Sequence, residues 1–125
     1  MGYNVLIVDD SLIIRTMVIR TLRMSGLDLG EIYFAADGQQ GLELLETHAV
    51  DIVFADINMP VMNGVQLVHA MAEQGMLEQV PVVIISSERN KQRMEYLKDL
   101  GVTAYLNKPF MPEDFRATVE QLLLK

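Results

Sequence analysis

The chain contains no cysteine, which excludes both a disulfide scaffold and thiolate metal sites. Basic residues are scarce: 10 Lys and Arg stand against 17 Asp and Glu, for a formal net charge of −7. A phosphate backbone needs a basic face, so no direct nucleic-acid binding is expected. No apolar run approaches the roughly 20 residues of a membrane span, and Met1–Val8 does not read as a secretory signal peptide. Met1-Gly2 opens a myristoylation pattern that Leu6 breaks, because Ser or Thr belongs there. Linkers, repeats and low-complexity stretches are missing as well. These absences lead to the expectation of a cytoplasmic protein without membrane attachment.

What is present is a globular composition. Of 125 residues, 50% are hydrophobic and 22% charged, which suits one domain over residues 1–125. The acidity is uneven. Residues 1–62 hold three basic and nine acidic side chains, whereas residues 63–125 hold seven and eight. The first half therefore collects carboxylates.

Three short runs are apolar throughout: Val5-Leu6-Ile7-Val8, Ile52-Val53-Phe54-Ala55 and Val82-Val83-Ile84-Ile85. Such runs fit strands buried on both faces, as in a parallel sheet. Ile32–Ala35 and Ala104-Tyr105-Leu106 are weaker candidates and bring the count to five. Helical spacing separates them. Ile14, Met17, Val18, Thr21 and Leu22 follow a capping Ser11, and Phe115, Val119, Leu122 and Leu123 follow Pro112 at a helix-starting position. Leu42 with Leu45, and Val65 with Val68 and Met71, mark two shorter helices. Glu88–Leu100 is the least amphipathic segment, and Gly26, Gly75 and Gly101 stand where left-handed helix caps belong. The pattern is (βα)5. Five strands are too few for an eight-stranded barrel, so a doubly wound parallel α/β sheet follows, with ligands beyond the carboxyl ends of its strands.

At those ends stand Asp9-Asp10 after the first strand and Asp56 after the third. Ser86-Ser87 ends the fourth, and Lys108-Pro109 follows the fifth. Singly, each has an ordinary structural explanation: a helix cap, a turn or a solvated cation. Jointly they bring three carboxylates, a hydroxyl and an ammonium to one edge. Three carboxylates repel unless a cation joins them, and an all-oxygen donor set without Cys or His points to Mg²⁺. With Mg²⁺ and Lys108 the local charge comes to zero, and a phosphoryl group could be held there.

These residues carry a resemblance. The chain resembles the receiver domain of two-component response regulators, most closely the CheY type that occurs as a stand-alone chain. The marks are Val8-Asp9-Asp10-Ser11, Ala36-Asp37-Gly38, Asp56-Ile57-Asn58-Met59-Pro60 with Met62-Asn63-Gly64, Ile85-Ser86-Ser87 and Lys108-Pro109-Phe110. They cover essentially the whole length. The resemblance implies a flavodoxin-like, CheY-like fold of strand order 2-1-3-4-5. It implies that Asp56 accepts a phosphoryl group from a phosphohistidine of a sensor histidine kinase or phosphotransfer protein. It further implies that Asp10 and Asp56, with the Asn58 carbonyl, ligate Mg²⁺, and that Asp9 contributes through water. Lys108 would pair with a phosphoryl oxygen, beside an expected cis Lys108-Pro109 bond. Ser86 would donate its hydroxyl to the phosphoryl group.

In such domains modification draws the Ser86-type hydroxyl inward and an aromatic on the fifth strand turns in; Tyr105 matches it. The face of the fourth helix, fifth strand and fifth helix would then meet a downstream protein. Asn58 and Glu88 occupy the two variable positions that tune the lifetime of the acyl phosphate. Monomer or phosphorylation-dependent dimer are both compatible with this picture. No metabolic reaction is expected, only the domain's own phosphorylation and slow dephosphorylation.

Other features earn less. Met17, Met24, Met71 and Met94 read as core filling, while Met59 and Met62 read as packing against the site. His48 and His69 fall near helix ends away from the acidic edge, and Tyr33 and Phe34 read as core or edge packing. An aspartyl-phosphate phosphatase or phosphotransferase would place its nucleophile after the first strand with a second Asp two residues on, which Asp9-Asp10 does not do. A flavin carrier would need a hydroxyl- and Gly-rich phosphate loop where two aspartates stand. A receiver that signals without phosphorylation would have no need of the intact acidic set and Lys108.

Overall fold

The computed structural model describes residues 2–86, 91–102, 104–107 and 110–123. Five parallel strands, β1 (Tyr3–Val8), β2 (Leu29–Ala35), β3 (Ile52–Ala55), β4 (Val82–Ser86) and β5 (Ala104–Asn107), form one sheet in the order β2-β1-β3-β4-β5. Five helices alternate with them: α1 (Leu12–Met24), α2 (Gly38–Thr47), α3 (Gly64–Glu73), α4 (Lys91–Leu100) and α5 (Pro112–Leu123). A short 3₁₀ turn, Met76–Glu78, precedes β4. The expected order 2-1-3-4-5 is the one observed.

The alternation of side chains along each strand builds two cores. Leu6 and Val8 of β1, Val53 and Ala55 of β3, and Val82 and Ile84 of β4 join Leu42, Leu67, Val68, Met71 and Leu97 on the α2–α3–α4 side. Val5, Ile7, Ile52, Phe54, Val83 and Ile85 face the other way, onto Val18 and Leu22 of α1 and Phe115 and Val119 of α5. All four residues of β3 are buried, as its unbroken apolar run requires of a central strand. Phe115 anchors the second core, with Phe54 at 5.0 Å and Phe110 at 5.1 Å between ring centroids, both edge-on.

Ser11 caps α1 by accepting from the Ile14 amide, and α5 starts at Pro112, both as expected. Gly26, Gly75 and Gly101 have φ of 82°, 73° and 123°, a conformation that an L side chain adopts only at a steric cost.

The methionine reading needs correction. Met71 is fully buried, but Met17 is 50% and Met24 68% exposed. The buried stripe of α1 is narrow, running through Val18 and Leu22, and Met17 and Met24, seven residues apart, share the solvent side. Within α4 only Leu97 is buried, which accounts for the weak periodicity of that segment. Phe34 is an edge residue, partly exposed, with the Arg15 guanidinium 6.0 Å above its ring. Tyr33 packs against the core and stands 4.8 Å from the His48 ring.

Candidate functional site

Parallel pairing of β1 with β3 brings their carboxyl ends side by side, so the residues that follow them meet at one edge. The hydrogen-bond ladder continues past both strands. The Asp9 amide donates to the Ala35 carbonyl and the Asp56 amide to the Val8 carbonyl, each at 3.0 Å. The backbone of both acids is therefore part of the sheet. Asp9 is buried, Asp56 half-buried and Asp10 exposed, which grades the cluster from core to solvent.

Carboxylate oxygens of Asp9, Asp10 and Asp56, one from each, lie within 4.8 Å of one another. Two of these acids are oriented by main-chain amides. The Ser11 amide donates to Asp9 Oδ1 at 2.9 Å and the Ile57 amide to Asp56 Oδ1 at 2.8 Å. Ser11 thus serves twice, its hydroxyl capping α1 and its amide fixing Asp9. Like charges this close repel. The donor set is all oxygen, which fits a hard divalent cation such as Mg²⁺.

Ser86 ends β4, buried, in register with Asn107 of β5. Asn58 is exposed on the segment that leaves Asp56. Tyr105, half-buried on β5, donates its hydroxyl to the Met94 carbonyl of α4 at 2.8 Å. Burial pushes its phenol above the ordinary value of 10.0. Glu88, Lys108 and Pro109 lie outside the described residues. His48 follows α2, and His69 pairs with Glu73 at 2.9 Å on the exposed side of α3.

The sequence pattern of the response regulator receiver domain matches residues 5–120. This chain belongs to that family. Receiver domains are signalling switches of two-component systems rather than metabolic enzymes, and they generally bind Mg²⁺ at an acidic pocket; this receiver domain has an acidic cluster of Asp9, Asp10 and Asp56. The chemotaxis protein CheY homolog of Campylobacter jejuni is 31% identical over 121 residues, covering 96% of this chain and 92% of that one. The transcriptional regulatory protein PdtaR of Mycobacterium tuberculosis is 33% identical over 118 residues, and the receiver domain spans only 55% of its length. It spans 10% of the sensor histidine kinase TmoS of Ectopseudomonas mendocina, with 33% identity over 93 residues. Among solved structures, the chemotaxis protein CheY4 of Vibrio cholerae superposes with a TM-score of 0.85 at 35% identity, covering 98% of this chain and all of that one. No helix among the described residues is long and apolar enough to cross a membrane.

Sequence reasoning missed the packing that shapes the segment after Asp56. Gly64 N–H donates to the Ile57 carbonyl at 2.8 Å, and a Cβ at Gly64 would collide with the Asp56 carbonyl oxygen. Gly38 N–H donates to the Met62 carbonyl, also at 2.8 Å. Both glycines were visible in the motifs, but the contacts they make join separate parts of the chain.

Proposed function

We propose that this receiver domain is a phosphorylation-activated switch whose phosphoacceptor is Asp56. The observation that carries the reading is the convergence of three carboxylates, one of them buried and two oriented by main-chain amides, at the carboxyl edge of the sheet. The partner class is a sensor histidine kinase or a phosphotransfer protein bearing a phosphohistidine.

An Asp56 carboxylate oxygen attacks phosphorus in line with the imidazole. An O–P bond forms as the P–N bond breaks, and the imidazole leaves with the electron pair and takes up a proton. Asp10, Asp56 and the Asn58 carbonyl would hold Mg²⁺, with Asp9 acting through water. When bound, the cation neutralises charge that accumulates on the transferring phosphoryl group. Lys108 pairs with one phosphoryl oxygen and Ser86 donates to another. The Ile57 and Ser11 amides keep two carboxylates oriented, so catalysis is mostly positioning. Later attack by water on the phosphoryl group returns the free carboxylate, and Asn58 and Glu88 at the flanks set how long that takes.

The signal passes through α4, β5 and α5 to a downstream protein. Movement of Ser86 towards the phosphoryl group frees space that Tyr105 fills. A shift from 1:99 to 99:1 between two states requires roughly 5.5 kcal/mol of differential stabilisation. The site is suited to a cytoplasmic domain, monomeric or dimerising on phosphorylation.

The test is incubation with Mg²⁺ and a small phosphodonor, followed by intact mass. One phosphoryl group gained by the wild-type chain and none by Asp56→Asn supports the assignment. Absence of any gain in the wild-type chain, with Mg²⁺ binding verified by calorimetry, refutes it.

A further inference from the structure

The stretch from Ile57 to Asn63 carries the amide that orients Asp56, and it is held from two sides. On the α3 side it is rigid. Asn63 and Gln66 form a reciprocal cap, with the Gln66 amide donating to Asn63 Oδ1 at 2.8 Å and the Asn63 amide to Gln66 Oε1 at 2.9 Å. Gly64 follows, pinned against the Asp56 and Ile57 backbone. On the other side the stretch meets α2 at Gly38. A Cβ built on Gly38 would stand 2.7 Å from Met62 Cγ, 2.8 Å from its carbonyl oxygen and 3.0 Å from its sulfur. Gly38 does not have a positive φ, so what it supplies here is space.

The intervening turn is the soft part. Met62 N–H donates back to the Pro60 carbonyl at 2.7 Å, closing a three-residue turn with Val61 at φ 65°. A β-branched residue is strained there, and Val61 is 81% exposed, so burial of its side chain does not offset the strain. α2 is itself seated: Gly41, one turn beyond Gly38, approaches Val8 so closely that a Cβ would lie 3.1 Å from its methyl carbon. A push on Met62 from α2 is therefore resisted at Asn63 and Gly64 and taken up through Val61, towards Asn58 and the Ile57 amide.

We infer that Gly38 and Met62 are positioning residues for the acidic site: the N-terminus of α2 sets the shape of the Asp56 segment and, through it, cation and phosphoryl uptake. The inference rests on the proposed function and concerns residues outside the ligand set.

The experiment compares Gly38→Ala, Met62→Ala and Met62→Leu with the wild-type chain. A Val119→Ala control is destabilised in the opposite core. Four quantities are read: Mg²⁺ affinity by calorimetry, rate of phosphoryl uptake from a small acyl phosphate, amide exchange at Ile57 and Gly64 without metal, and melting temperature. Gly38→Ala is expected to weaken Mg²⁺ binding, to speed exchange at Ile57, and to slow uptake by about tenfold to a hundredfold. Met62→Ala moves the same way, and Met62→Leu, which restores packing, stays near wild type. Val119→Ala melts earlier with Mg²⁺ affinity unchanged. Wild-type Mg²⁺ affinity and Ile57 exchange in both Gly38→Ala and Met62→Ala overturn the inference. Should Gly38→Ala fail to fold, the contrast between the two Met62 variants decides it. Should the wild-type chain take no phosphoryl group, the proposed function fails, while Mg²⁺ affinity and exchange still judge the positioning role.

Discussion

The Tyr105 hydroxyl donates to the Met94 main-chain carbonyl across 2.8 Å, tying β5 to the middle of α4. Besides this bond, α4 sends one fully buried side chain, Leu97, into the core. Tyr105→Phe removes the donor and keeps the ring. It is expected to lower stability by about 1 kcal/mol and to accelerate amide exchange in α4 more than in α5. Equal exchange in both helices would count against the latch. The raised phenol pKa means that folding favours the neutral form, so the contribution is intact below pH 10.0 and is lost as pH rises through the raised value. Alkaline titration of wild type against Tyr105→Phe should therefore converge only above that pH.

Val61 breaks two local rules at once, a strained backbone and an exposed apolar side chain. Asn adopts a positive φ more readily. Val61→Asn should raise stability by about 0.5–1 kcal/mol in denaturant unfolding. A neutral or destabilising result would show that the turn is relaxed with valine.

Repulsion among the acids predicts that the domain's stability depends on a cation. At Mg²⁺ about 100 times its dissociation constant, stability should rise by about 2.7 kcal/mol, read as an upward shift of the melting curve. Asp10→Asn removes the exposed charge without touching the amide contacts of Asp9 or Asp56. It should melt higher than wild type without Mg²⁺ and gain less when Mg²⁺ is added. An unchanged Mg²⁺ increment would remove Asp10 from the site.

Two phenylalanines offer a contrast in burial. Phe115, fully buried against Phe54 and Phe110, should cost about 3–5 kcal/mol on truncation to Ala. Phe34, on the edge strand beneath Arg15, should cost about 1 kcal/mol or less, most of it from the lost cation–π contact. Chemical denaturation of both variants measures the difference.

The central strands were legible in the sequence because burial on both faces leaves no polar position to confuse the pattern: Ile52–Ala55 was read to the residue. The edge strand was harder. β2 begins at Leu29, before the apolar run Ile32–Ala35, because Leu29 pairs with Tyr3 and the register then shifts before Ile32 pairs with Val5, the Glu31 amide donating to the Asn4 side chain across the irregularity. Met17 and Met24 lie outward against the core reading because helical spacing shows that residues share a face and not which face is inward. The acids at the strand ends could be listed from topology alone. The shape of the segment after Asp56 could not, since it depends on Gly38 meeting Met62 and on Gly64 meeting Asp56, contacts that only the folded chain creates.

The continuation of the ladder into Asp9 and Asp56 has an engineering consequence. Their spacing is inherited from the sheet, so it is insulated from the outward faces of the helices. Exchanging exposed residues such as Leu12, Ile13 and Met17 of α1 should leave the charge geometry untouched. The outward faces of the helices and the charge geometry of the acidic edge are thus separable layers, and one can be redesigned while the other is kept.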